Sequence, residues 1–128
     1  MIRIEVQKTY AMVIGAVLVL VGLVGFVSNP LVGVPASSSA TSPLFGANTY
    51  ENILHIVVGA LGLWFGMKSS AKSYNMGLGI GAAVVGLVGL VPQGLAVLFS
   101  VFAINTTITY LHLAIAVVSL GVAYGLKR

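Results

Sequence analysis

The sequence predicts an all-α integral membrane protein, a four-helix bundle built from two similar transmembrane hairpins. Hydrophobic residues make up 59% of the 128 residues and charged residues only 6%. A water-soluble domain of this size does not carry such a composition on its surface. Four apolar stretches of about 18 to 21 residues are each long enough for a helix across a bilayer core of roughly 30 Å. The last two stretches repeat the pattern of the first two, so we expect a single membrane domain over residues 1–128.

The first span is predicted over residues 10–27, which carry no charge. A basic start, this apolar stretch and the later Ser38-Ser39-Ala40 could instead mark a secretory signal. A retained span is favoured because the stretch has a counterpart later in the chain. Residues 28–47 hold three prolines and a run of serines, which predicts a helix-breaking loop.

The second span is predicted over residues 49–67, with Asn48 as its N-cap and Glu51 placed to complete a reciprocal cap. The third is predicted over residues 74–91 and is broken by Pro92-Gln93-Gly94. Residues 95–104 are apolar but too short to cross, which leaves an interfacial loop, a re-entrant segment or an extension of the third helix. We favour an extension or a surface-lying turn. Asn105 caps the fourth span, predicted over residues 106–126.

The chain contains an internal repeat, which we place at about residues 9–68 and 74–128. Residues 21–27 match residues 85–91 in six of seven positions, at an offset of 64. Asn-Thr stands seven residues before a Leu-His pair in both halves, at an offset of 57. Both halves start on the same side of the membrane, so the predicted repeat is parallel, with a pseudo-two-fold axis along the membrane normal.

The basic residues predict the topology. They fall at the N-terminus, in the turn between the second and third spans, and at the C-terminus, and the two long loops have none. The positive-inside tendency therefore places both termini on the cytoplasmic side of the cell's inner membrane. A net charge of +4 spread over these sites forms no basic stripe, so we expect no nucleic-acid partner.

Glycines recur at spacings that place them on one side of a helix, where they let helix backbones approach closely in lipid. We predict a helix-packing role for them rather than a backbone-lined pore. The predicted packing positions are Gly15, Gly22, Gly25, Gly62, Gly66, Gly79, Gly86 and Gly89, and Gly77 and Gly81 form a further GxxxG pair.

His55 and His112 are the two histidines of the chain, and the repeat places them at equivalent positions. Each lies seven residues inside its helix cap, about 10 Å along the axis at the standard rise. Ionisable residues inside a span are costly and usually have a partner in the protein interior. Glu51 stands four residues before His55, on the same helical face, whereas Ile108 takes that position before His112.

Three interpretations of the histidines stay open. Both imidazoles could be neutral and hydrogen-bond a loop or a neighbouring helix, or both could ligate one haem across the pseudo-axis. The third interpretation is a proton or quinone site formed by His55 with Glu51. The first is favoured.

Other chemistry is scarce. The chain has no cysteine and no aspartate, which excludes thiolate sites, disulfides, Ser-His-Asp catalysis and calcium loops. Two histidines and one glutamate near the membrane edge are a poor ligand set for catalytic zinc. We expect no enzyme activity, no metal and no required cofactor.

The Asn-to-His spacing from Asn48 to His55, followed by Val58-Gly59-Ala60-Leu61-Gly62 after a first span rich in glycine and valine, resembles a known family. It is similar to the small four-helix bacterial and archaeal membrane proteins that carry the domain of unknown function DUF4383. The resemblance covers most of the chain and carries Asn48, His55 and Gly59 onto the family's Asn/His/Gly pattern. It implies a four-span membrane protein with no established activity.

These features favour a non-enzymatic structural or accessory subunit. Its partners would be the lipid bilayer and either other membrane subunits or copies of itself. A haem- or quinone-binding electron-transfer subunit that uses His55 and His112 is the main alternative. A small channel or transporter ranks third because the sequence offers no polar pathway.

Overall fold

The computed structural model describes residues 2–27, 48–68, 70–102 and 104–125. Within them the chain is all-helical, as predicted, with no strand. The loop predicted over residues 28–47 and the basic pair at residues 127–128 lie outside the described residues. The helices are α1 (Ile2–Gly25), α2 (Thr49–Gly66), α3 (Ala71–Gly89), α4 (Pro92–Phe102) and α5 (Thr106–Gly125).

Two helices are long and apolar enough to cross a membrane, namely α1 over Glu5–Gly25 and α5 over Thr106–Tyr124. α3 and α4 make a third if that bent pair is a single span. α2 is outside this set, and its first two turns carry the polar residues Glu51, Asn52 and His55. The chain thus has the helices of a membrane protein, and the expected four crossings stay a prediction.

α1 begins earlier than the sequence suggested. The polar start of the chain is continuous with the apolar span, because the helix runs from Ile2 rather than from residue 10. Gln7 explains why this turn is anchored: its side chain is 5% exposed and donates from Nε2 to the Val122 carbonyl of α5 at 2.7 Å. A polar residue that packs between helices looks, in the sequence, like part of a solvated terminus.

The apolar segment after Pro92 is a helix of its own rather than an extension of α3. α4 starts at Pro92 and turns away from α3 by 115°. Proline has no amide hydrogen to continue the α3 ladder, and its ring suits the first turn of a new helix. No residue of α4 is buried, which agrees with a helix lying on the surface of the bundle.

α1 and α2 pack antiparallel through glycines. A methyl group on Gly15 would lie 2.6 Å from the Gly59 carbonyl oxygen, and one on Gly22 would lie 2.7 Å from the Asn52 carbonyl oxygen. Gly25 meets the Asn52 side chain. Residues near the end of α1 therefore contact residues near the start of α2, as in an antiparallel pair. At the other end, a methyl group on Gly66 would lie 3.1 Å from the Lys8 carbonyl oxygen.

α3 and α5 form a second antiparallel pair. A methyl group on Gly79 would lie 2.7 Å from Leu120, and one on Gly86 would lie 2.5 Å from Leu113. Gly89 meets the Thr109 side chain. On α3, as on α1, glycines lie at the close contacts, but on α3 they receive side chains of α5, whereas Gly15 of α1 meets the backbone of α2.

The two helix pairs meet along α1 and α3. Asn75 is fully buried and donates from Nδ2 to the Gln7 carbonyl at 3.0 Å and to Gln7 Oε1 at 2.8 Å. Ala11 and Ala71 are also fully buried. Gly62 of α2 packs against the Tyr74 hydroxyl of α3, 2.7 Å from the position of an added methyl group. The centre of the molecule is therefore built from small and polar side chains rather than from large apolar ones.

Candidate functional site

The first turn of α2 is held by Asn48. Its Oδ1 accepts a hydrogen bond from the Glu51 amide at 3.1 Å, the geometry of an N-cap. Its Nδ2 donates to the Val101 carbonyl at 2.8 Å and so ties the end of α4 to the start of α2. The Glu51 carboxylate does not return to Asn48 as a reciprocal cap would, because it bonds to His55 instead.

Glu51 and His55 form a buried pair one turn apart on α2. His55 Nε2 lies 3.1 Å from Glu51 Oε1, and the two side chains are 13% and 5% exposed. The second carboxylate oxygen, Oε2, and the second ring nitrogen, Nδ1, are buried without a hydrogen-bond partner. Unpaired buried polar atoms are costly, so this pair has hydrogen-bonding capacity that the described residues do not use.

His112 is oriented by its own helix. Its Nδ1 lies 2.8 Å from the Ile108 carbonyl oxygen. Because a carbonyl oxygen can only accept, Nδ1 carries the proton, and Nε2 of the neutral ring is an acceptor. Asn105 caps α5 as Asn48 caps α2, since its Oδ1 accepts from the Ile108 amide at 3.0 Å.

A cavity of about 470 Å³ brings both histidines and Glu51 together. This volume falls in the range of small-molecule pockets, roughly 300 to 1,000 Å³. Most of its lining comes from α2, α3 and α5, and Leu18 of α1 and Leu98 and Phe102 of α4 also line it. The sequence alone placed the histidines at equivalent positions, and the structure adds that they line one space.

Tyr74 is a lining residue that sequence reasoning did not assign to a site. Its hydroxyl donates to the Val58 carbonyl of α2 at 2.8 Å, and its ring stacks on Phe65 with centroids 6.3 Å apart. Tyr10, its counterpart at the offset of 64, bonds through its hydroxyl to Ser119 of α5 at 2.6 Å. The match of Tyr10 and Tyr74 at the offset of the predicted repeat was the signal that could have identified both as bridging residues.

Gly77 and Gly81 differ from the packing glycines. A methyl group on either would meet nothing within 4 Å. Both residues line the cavity instead of contacting a helix. The two glycines of this GxxxG pair at the start of α3 therefore leave space for the cavity and do not form a helix contact.

The polar lining does not form a metal centre. Among the residues in the described ranges, no three His, Cys, Asp or Glu side chains come close enough to hold a metal ion. The arrangement has the chemistry of a hydrogen-bonding site at one end of an apolar pocket.

Comparison with known proteins places the whole bundle in one family. No curated protein and no solved structure matches the chain. The family described as Domain of unknown function (DUF4383) matches residues 8–125, which include all five helices except the first turns of α1. The match covers both histidines, Glu51 and both Asn caps, and the chain belongs to the DUF4383 family.

Proposed function

We propose that the protein is a non-enzymatic structural or accessory subunit of a membrane complex or of a homo-oligomer. The observation that carries this proposal is the apolar outer surface of the helices. Val117 of α5 is 73% exposed, Val97 of α4 is 61% exposed and Leu20 of α1 is 60% exposed. Such side chains suit lipid and the surfaces of other helices, and the polar groups are turned inward to hold the bundle together.

Cysteine crosslinking in native membranes tests the subunit role, because the natural chain has no cysteine. We expect oxidation to give crosslinked species from at least one exposed position, using Val117→Cys, Val97→Cys and Leu20→Cys. Ala123→Cys is the matched control on α5, since Ala123 is fully buried. If all three exposed variants stay monomeric in membranes and the protein purifies alone as a monodisperse monomer, the proposal fails.

The finer architecture belongs to the same proposal: four crossings, two parallel-repeat hairpins, and both termini on the cytoplasmic side of the inner membrane. Equivalent contacts support the repeat. Gly22 meets Ile56 in the first helix pair, and their counterparts Gly86 and Leu113 meet in the second. Gly25 meets Asn52, and their counterparts Gly89 and Thr109 also meet.

A second candidate function is cofactor binding for electron transfer, favoured by the single cavity that both histidines line. The local geometry is compatible with haem and with a quinol. Glu51 holds His55 through Nε2, which leaves Nδ1 without a partner, and His112 bonds to the Ile108 carbonyl through Nδ1, which leaves Nε2. Each remaining ring nitrogen could ligate iron or accept a hydrogen bond from a quinol hydroxyl.

An absorbance spectrum of protein purified from its native membrane separates these candidates. A Soret band that is lost in both His55→Gln and His112→Gln would establish haem. Co-purified quinone, detected by extraction and mass spectrometry, would support the quinone function. Protein that carries neither, from membranes rich in both, removes electron transfer and leaves the subunit role untouched.

A further inference from the structure

The polar side chains that line the cavity have used their hydrogen-bond donors. Tyr74 donates its hydroxyl hydrogen to Val58, and His112 donates from Nδ1 to Ile108. Taken as neutral, His55 donates from Nε2 to Glu51 and keeps a bare Nδ1. Glu51 Oε2, as a carboxylate oxygen, also accepts only. What remains for a ligand is a set of acceptors without a donor.

Glu51 gives the cavity a specific polar feature that an apolar groove would lack. Its side chain lines the cavity and is 5% exposed, and its Oε2 has no partner. The terminal torsion of a glutamate is soft, so a small rotation presents Oε2 to the cavity. A buried carboxylate without a counter-charge is expensive, and a hydrogen-bond donor or a cation relieves that cost.

The cavity also coincides with the places where the two halves of the chain differ. At the offset of 64, Gly77 and Gly81 correspond to Val13 and Val17 of α1. At the offset of 57, Glu51 corresponds to Ile108 of α5. The glycines that leave space and the acid that needs a partner occur on the same side of the bundle, whereas the counterpart side has two valines and an isoleucine.

The exposed part of the cavity lining lies along α2 and α3. Leu54, Gly77 and Gly81 line the cavity and are also exposed. All three lie within the lengths of α2 and α3. α4 contributes Leu98 and Phe102 to the lining. A ligand that is dissolved in the bilayer could therefore enter from the side, head first toward Glu51.

We propose that this cavity binds an apolar molecule whose polar head donates hydrogen bonds, best matched by a primary ammonium, with the head at Glu51 and the two histidines and the tail along Gly77 and Gly81. A quinol, which has two hydroxyl donors, has the same chemistry, and its oxidised quinone does not. The inference stands apart from the subunit role and needs no electron transfer.

Two pairs of probes isolate the donor from the rest of the ligand. Decylamine and decyltrimethylammonium share the chain and the charge, but only decylamine has N–H donors. Decylhydroquinone and decylbenzoquinone, compared without oxygen, differ in the same way. The readout is the ¹⁵N spectrum of histidine-labelled protein in phosphatidylcholine nanodiscs, where two histidines give few signals and protonated and bare nitrogens are well separated. His55→Gln and His112→Gln assign them.

The expected result is a saturable shift of the His112 Nε2 signal with the donor member of at least one pair. The member of that pair without a donor should bind at least about ten-fold more weakly, since a hydrogen bond to a charged group contributes about 1.5 kcal/mol or more. The pair that discriminates identifies the ligand source. Equal shifts within both pairs, or no saturable shift with any of the four probes, would overturn the proposal.

Two glycine variants locate the binding. Gly81→Leu fills the cavity from a position where an added methyl group meets nothing within 4 Å, so binding should be lost. Gly121→Leu is the matched control, because Gly121 is equally unobstructed on α5 and does not line the cavity. Binding that survives in Gly81→Leu, or disappears equally in both variants, contradicts the assigned site.

Discussion

Asn75 shows how this protein uses its few polar side chains. It is fully buried, and both of its donated hydrogen bonds go to Gln7 on the facing helix. Gln7 in turn donates to α5, so one chain of hydrogen bonds joins three helices. In the absence of water, a buried polar group is satisfied within the protein or not at all. The polar residues of the bundle therefore fix which helices meet.

Replacing Asn75 tests this role at the residue scale. Asn75→Ala removes both hydrogen bonds to Gln7 and should lower the free energy of unfolding by about 1 to 2 kcal/mol, as interhelical hydrogen bonds in membranes contribute modestly. Reversible unfolding in mixed detergent micelles can be followed by the fluorescence of Trp64, the single tryptophan. Ile80→Ala, at a 51% exposed position of α3, should cost much less. Equal losses for both variants would argue against the network.

At the scale of helices, the close approach of α1 and α2 depends on backbone against backbone. Gly15 and Gly59 each face the other's carbonyl oxygen. A methyl group on Gly59 would lie 2.5 Å from the carbonyl oxygen of Gly15. No flexible side chain stands between them to move aside. The pair therefore tolerates no added carbon without a shift of a whole helix.

Two alanine substitutions measure that tolerance. Gly15→Ala should destabilise the protein by roughly 1 to 3 kcal/mol, the usual cost of overpacking. Gly77→Ala adds the same methyl group where nothing lies within 4 Å, and alanine forms helix more readily, so stability should be unchanged or slightly higher. Thermal unfolding followed by circular dichroism compares them. A loss in Gly77→Ala as large as in Gly15→Ala would contradict the assigned packing.

α4 is attached to the bundle by a contact that can be cut separately. Asn48 contributes an acceptor to cap α2 and a donor to hold Val101. Serine caps a helix about as well as asparagine does but cannot make the second bond in the same way. Asn48→Ser should therefore free α4 and leave α2 in place.

Hydrogen exchange resolves the two effects of Asn48. In Asn48→Ser, amide exchange should rise in α4 with little change in α2. In Asn48→Ala, exchange should rise in both helices, because a lost cap costs about 1 kcal/mol of helix stability. Unchanged exchange of α4 in both variants would show that the hydrogen bond to Val101 does not hold it.

At the scale of the whole molecule, the proposed topology places the two ends of α3 on opposite sides of the membrane. Single cysteines in this cysteine-free chain can report it. Gln93→Cys, at an exposed position where α4 begins, should react with a membrane-impermeant maleimide added outside intact cells. Ser70→Cys, before α3, should react only after the membrane is permeabilised. The reverse labelling pattern would invert the topology, and labelling of both from outside would remove the α3 crossing.

The sequence predicted the helical class, the family and the placement of Glu51 beside His55 on one helical face, because these depend on local pattern. It did not predict that Gln7 lies inside the bundle or that Gly77 and Gly81 line a cavity. Those outcomes depend on which helices become neighbours, and a glycine in contact and a glycine beside empty space look alike in a sequence. The turn at Pro92 could be predicted as a break, but not its 115° direction, which brings the end of α4 to Asn48, far away in the chain.

The polar first turns of α2 have a consequence for the lipid around the protein. In the proposed topology α2 crosses the bilayer, but its apolar part, from Ile56 to Gly66, rises only about 16 Å, roughly half of a 30 Å hydrocarbon core. Hydrophobic mismatch of this kind thins the adjacent bilayer or recruits a neighbour to cover the gap, at a fraction of a kcal/mol per Å. The bilayer should be thinnest beside α2, which makes this side the preferred contact for another short-spanning helix and favours residence in thin membranes.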